Sequence, residues 1–100
     1  MQTPGTQPKF PLGQLLMTSG VACLVASNEA FARFCAGSLK RHVCGDWGDL
    51  CKEDKAENEF ALKEGNLRIF SAYESDGLPK IWIITEADRS ATTTLFPEEY

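Results

Sequence analysis

His42, Arg89, Ser90 and Thr93 are the side chains that could together act on a phosphodiester. An imidazole can move a proton, a guanidinium can hold phosphate charge, and hydroxyls can assist beside it. The single histidine also lies close in sequence to thiols. With Cys35, Cys44 and Cys51 it would form a metal set, and with Cys23, Cys35 or Cys51 a thiol–imidazole pair. Spacing argues against the metal, because structural zinc ligands come in pairs about two to four residues apart. One residue separates His42 from Cys44, and six separate Cys44 from Cys51. Catalytic thiol–imidazole pairs are assembled from distant segments, so adjacency to Cys44 carries no weight. The plainer reading is a surface histidine at a helix end, with four free thiols and neither metal nor cofactor.

Carboxylates form the second group. Asp46, Asp49, Glu53 and Asp54 could hold a divalent cation through oxygen, but no EF-hand spacing is present. Acids just before and within a first helical turn are accounted for by capping and by the helix dipole. Together with Glu57 they make a locally acidic face, and Asp46, Asp49, Glu53, Asp54 and Glu57 are the residues expected to meet a partner. A basic protein fits such a face, by long-range attraction. The alternative is a solvated helix face with i,i+4 pairs. Trp47, flanked by Gly45 and Gly48, is expected to pin its loop into the core rather than stand exposed as a binding hot spot.

The elements that must position these residues follow from periodicity. Residues 1–9, with Pro4 and Pro8 and no large apolar side chain after Met1, read as a flexible tail before a single domain over 10–100. Phe10 to Met17 reads as an extended segment entering the core. A short helix is predicted over 20–26, and a second opens at Asn28, an N-cap followed by Glu29. Phe31, Phe34, Cys35, Ser38 and Leu39 recur at helical spacing as its buried stripe, and Lys40, Arg41 and His42 fall at its C-terminal end. A third helix, 51–64, is polar on one side, apolar at Ala56, Phe60, Ala61 and Leu62, and stopped by Gly65-Asn66. The period then becomes two. Strands are predicted over 67–74, over 80–86 as the central one, and over 91–96, with Asp76-Gly77 as a hairpin turn. The fold class is α+β: two or three helices on one face of a three- to four-stranded antiparallel meander.

Bulk properties narrow the function. One hundred residues suit one core, and ten Lys+Arg against fourteen Asp+Glu give a net charge of −4. That balance disfavours nucleic-acid binding through phosphate neutralisation. Residues 9–27 imitate a secretion leader, but Gly13, Gln14, Thr18, Ser19 and Gly20 break the apolar run, which is also too short and polar to span a membrane. A reducing, cytoplasmic setting with four free thiols is expected.

The stretches RHVCGDWGDL (41–50), EDKAENEFALKEG (53–65) and SAYESDGLPKIWIITEADRSATTTLFPEEY (71–100) resemble small bacterial proteins carried on plasmids and other mobile elements. Some of those are associated with restriction–modification. The resemblance covers residues 41–100 and implies a genomic setting; it assigns no role to any residue. With small size and acidity, it leads to an expected function: a non-enzymatic interaction protein that binds a protein partner, in the setting of a nucleic-acid-targeting defence system. The alternative rests on fold analogy with barnase- and RelE-type ribonucleases or toxins, in which His42, Arg89, Ser90 and Thr93 would form the site. Convergence of those four in one cleft is the test of that alternative.

Overall fold

The structure, a computed structural model, describes residues 7–100. The tail expected over 1–9 lies outside the described residues through position 6. By Lys9 the chain is already tied down, its N–H donating to the Val43 carbonyl. The elements run β1 (Gln14–Met17), α1 (Ser19–Ser27), α2 (Glu29–Val43), α3 (Lys52–Glu64), β2 (Ile69–Ser75), β3 (Leu78–Thr85) and β4 (Ala91–Leu95). A 3-10 turn, Pro97–Glu99, ends the order.

Local chemistry accounts for the boundaries. The Asn28 carboxamide accepts the Phe31 N–H and starts α2. Gly65 closes α3 in the left-handed region. Asp76-Gly77 joins β2 to β3 as a two-residue turn. Ile69, Ser71 and Tyr73 of β2 and Ile81, Ile83 and Thr85 of β3 are all fully buried, and the register places them opposite one another on one face. Each buried isoleucine contributes about 1.5–3 kcal/mol, and a one-residue slip would turn all of them to the other face. That is why this register is specified.

The α+β class stands, with the sheet ordered β1-β4-β3-β2. Strands β2, β3 and β4 form the antiparallel meander, and β3 is internal as expected. The first segment departs from the expectation: β1 joins as an edge strand parallel to β4. Its Leu15, Leu16 and Met17 do not enter the core, since all are exposed, and Phe10 is buried instead. The pairing is non-local, and four residues carry too little periodicity to announce it. On the helical side, Val21, Phe31 and Cys35 pack against Tyr73, Ile81 and Ile83, and Phe10, Trp47 and Ala61 pack with Ile69. The apolar stripe expected on α3 is corrected as well: Ala56 and Phe60 are exposed, and the buried positions are Asn58 and Ala61.

Asn58 explains that shift. Its carboxamide accepts the Phe70 N–H at 3.1 Å and donates to the Phe70 carbonyl, completing the outer edge of β2 as a further strand would. The next outward residue, Ala72, is satisfied by the Trp47 carbonyl and the Asp49 N–H, and the Glu74 N–H by the Asp49 carboxylate. Every outward residue from Phe70 to Glu74 is therefore engaged. Asn58→Ala leaves the part-buried Phe70 groups unpaired and is expected to cost about 2 kcal/mol. Glu57→Ala, one exposed residue away, should stay within about 0.5 kcal/mol of wild type in the same urea titration. Equal midpoints for the two variants would contradict the role given to Asn58.

Candidate functional site

The last turn of α2 drops His42 onto the sheet. The residue is completely buried, not the surface histidine its place among Lys40 and Arg41 suggested. It extends the stripe Phe31, Cys35, Ser38 at helical spacing, which is the sequence signal that could have found it. Its Nδ1 pairs with Ser71 Oγ, and its Nε2 lies 2.9 Å from Thr85 Oγ1. Thr85 and Thr92 hydroxyls are 2.7 Å apart, and Thr92 donates to the Leu12 carbonyl at 2.7 Å.

Proton directions follow from that last bond. A carbonyl only accepts, so the Thr92 proton points to Leu12 and the Thr92 oxygen receives the Thr85 proton. Thr85 must then accept from His42 Nε2–H, leaving Nδ1 to accept from Ser71. The imidazole is neutral with its proton on Nε2, and the chain uses every hydrogen once. Phe10 and Trp47 close around the ring edge-on, at centroid distances of 5.3 Å and 6.0 Å. Burial pushes the His42 pKa down to about 3. A neutral, enclosed imidazole with both nitrogens engaged fastens α2 to the sheet and reaches no substrate.

The other residues of the phosphodiester set are placed elsewhere. Arg89 sits at φ 61 in the β3–β4 turn. Its guanidinium donates to the Leu67 carbonyl at 2.6 Å and the Ala61 carbonyl at 3.3 Å, and to those of Glu86 and Ala87 in its own turn. It thus ties the end of α3 to the turn. Ser90 is exposed, with its N–H on the Asp88 carboxylate at 3.0 Å. Thr93 is paired with Ile84 and lies on the face opposite Thr92. His42, Arg89, Ser90 and Thr93 do not converge in one cleft.

The acids divide. The Asp46 carboxylate accepts Arg41 Nε at 2.7 Å and the Gly48 N–H at 3.1 Å; the Arg41 bond holds its carboxyl below the usual range. Asp49 is bound to the Glu74 N–H at 2.9 Å. Both therefore shape the 45–49 loop, while Glu53, Asp54 and Glu57 remain exposed on α3. Trp47 is buried as an anchor, its Nε1 donating to Glu59 at 2.7 Å. All four cysteines are free thiols, Cys23 and Cys51 exposed, Cys44 half-buried and Cys35 buried, where its pKa rises to about 11. Among the described residues no group of three or more His, Cys, Asp or Glu side chains is placed to hold a metal ion.

The sheet face away from the helices carries a feature that the sequence reading did not assemble. Alternation brings Phe70, Trp82, Ile84, Thr93 and Leu95 to that face. Trp82 meets Phe70 edge-on at 5.0 Å and Tyr100 at 5.8 Å. The Arg68 guanidinium lies 5.6 Å over the Tyr100 ring and donates to its hydroxyl at 2.8 Å. Arg68, Phe70, Trp82, Ile84 and Tyr100 line a hollow of about 180 Å³. It adjoins a second hollow of about 270 Å³ that reaches Thr18, Glu86, Thr93, Leu95 and Glu99. The signal was present in the alternation, since placing Ile81 and Ile83 inward sends Trp82 and Ile84 outward. Recognising the cup also required the return of Tyr100 across the sheet.

No family model, curated protein or solved structure matches the chain. Among the described residues no helix is long and apolar enough to cross a membrane.

Proposed function

We propose that this chain is a non-enzymatic protein-binding module that holds its partner on the outer face of the sheet. One observation carries the reading: the cup of Trp82, Tyr100, Phe70 and Arg68 left open on that face. Tryptophan, tyrosine and arginine are the side chains that most often dominate interface energetics, and a shallow aromatic hollow takes an apolar side chain of a partner. The exposed Glu53, Asp54 and Glu57 on α3 supply a field that steers a basic partner without forming the seat. The resemblance to mobile-element proteins adds a genomic setting and no mechanism. The ribonuclease alternative loses its support, because its four residues are dispersed.

The test begins with crosslinked capture from a bacterial host extract, followed by purification of the captured protein and measurement of its affinity. Tyr100→Ala, at a 66% exposed position, should leave folding intact and weaken binding by about tenfold or more. Trp82→Ala should weaken it further, with circular dichroism reporting on the fold. Lysine at 53, 54 and 57 should slow association and leave dissociation nearly unchanged. Unchanged affinity in both aromatic variants would move the interface off this face.

A further inference from the structure

The two edges of the sheet are built differently. At the β2 edge each outward residue from Phe70 to Glu74 is met by Asn58, by the 47–49 loop or by the Asp49 carboxylate. At the opposite edge, β1 is followed directly by α1, and although it is short, Gln14–Met17 carries neither the charge nor the proline that block strand addition. The Gln14 and Thr18 N–H groups donate to Ser90 and Thr94 of β4 and its approach, and period-two alternation sets Leu16 with them. The backbone groups of Leu15 and Met17 therefore point away from the sheet. Their side chains are 57% and 49% exposed, and Leu16 is 41% exposed.

We infer that β1 is a self-association edge, where a second copy of this chain adds its own β1 antiparallel to extend the sheet. The spacing of the outward groups carries the choice of occupant. Two outward residues separated by one place a twofold axis at Leu16, so that Leu15 faces Met17 of the copy and Met17 faces Leu15. Both are hydrogen-bonded pairs, and each exchanges its N–H and carbonyl. Leu16 meets Leu16 across the axis as the closer, non-hydrogen-bonded pair. Each exposed apolar side chain of the strand thereby gains an apolar partner. The seam has no charge, which matters in a chain of net charge −4, since like charges opposed across strands destabilise the pairing. A closed, isologous dimer results. Its axis is perpendicular to the sheet, which sets the two outer faces side by side. The inference stands on the edge and is independent of the protein-binding reading.

Sedimentation of the full chain from low-micromolar to near-millimolar concentration tests it. The mass should pass from one chain to two and stop there. Leu16→Lys opposes two ammonium groups at the axis and should hold the protein monomeric throughout, with an unchanged circular dichroism spectrum. Leu15→Pro removes an outward N–H that β4 does not use and should do the same. Hydrogen exchange gives a readout that does not depend on variants: the Leu15 and Met17 amides should become protected only as concentration rises. A wild-type chain that stays monomeric across the series overturns the inference. So does a dimer that persists in Leu16→Lys, or one whose Leu15 and Met17 amides exchange freely.

Discussion

Acidification should unfold this protein through one residue. Below about pH 6.5, stability is expected to fall by about 1.4 kcal/mol per pH unit on account of His42, on top of the smaller contributions of its carboxylates. The folded imidazole has a pKa of about 3 against an ordinary 6.5, and the cause is burial. Between those values the unfolded chain takes up a proton that the folded chain cannot. The contribution is therefore intact above pH 6.5 and is lost progressively as pH falls toward 3. Asp46 and Glu99, whose carboxyls are held low by Arg41 and by Thr18, lose stability in the same direction, but they are exposed and screened. His42→Gln separates the effects. It should be less stable than wild type at pH 7.5 by about 1–3 kcal/mol, because a carboxamide cannot reach both Ser71 and Thr85. Its stability should then change less steeply with pH, so that the two curves converge on acidification. As the only histidine, His42 gives a single set of imidazole resonances to follow. A folded-state titration near 6.5, or parallel slopes for wild type and His42→Gln, would remove the buried imidazole as the acid-sensitive element.

What the sequence made legible, and what it hid, divides by range. Asn28, Gly65 and Asp76-Gly77 act on their own neighbours, and each bounded its element where the structure has it. Period two over 80–86 put either Ile81 and Ile83 or Trp82 and Ile84 inward without choosing between them; the structure buries Ile81 and Ile83 completely, with Ile84 also buried and Trp82 half-buried. His42 was misplaced because its basic neighbours fit a helix C-terminus equally well, while its partners Ser71 in β2 and Thr85 at the end of β3 both lie beyond the whole of α3. Asn58 read as one polar residue among many, since its function is to complete a strand that forms later in the chain. Asp46 and Asp49 looked available to a partner for a similar reason: the Arg41 and Glu74 groups that use them are fixed by tertiary contact. Tyr100 closes the aromatic cup only because the chain turns at Pro97 and returns over Trp82. Spacing could mark His42 as buried, but the partners of each missed residue lie far away in groups of ordinary composition, and no spacing reports them.

Gly48→Ala and Gly37→Ala should change stability in opposite directions, and the first is expected to be among the most damaging single substitutions in the molecule. Gly48 has φ +72, where a side chain costs about 1–3 kcal/mol before any contact is counted. A Cβ there would run into the Ala72 carbonyl oxygen and come within 2.7–2.8 Å of the Tyr73 ring. Neither neighbour can yield cheaply. Ala72 is held by β3 on one side and by Trp47 and Asp49 on the other, and Tyr73 is completely buried with its hydroxyl on the Asp46 carbonyl. The loop must therefore leave the β2 edge, which exposes the Ala72 and Glu74 backbone groups and loosens the Trp47 anchor. A loss of about 3 kcal/mol or more is expected by urea unfolding, with faster amide exchange at Asp49 and Glu74. Gly37 provides the contrast. It lies inside α2 with nothing within 4 Å of an added Cβ, so alanine should stabilise the helix by about 0.5–1 kcal/mol. A Gly48→Ala protein within about 1 kcal/mol of wild type would mean that the loop does not seal the β2 edge. The contrast between a closed edge at β2 and an open one at β1 would then disappear.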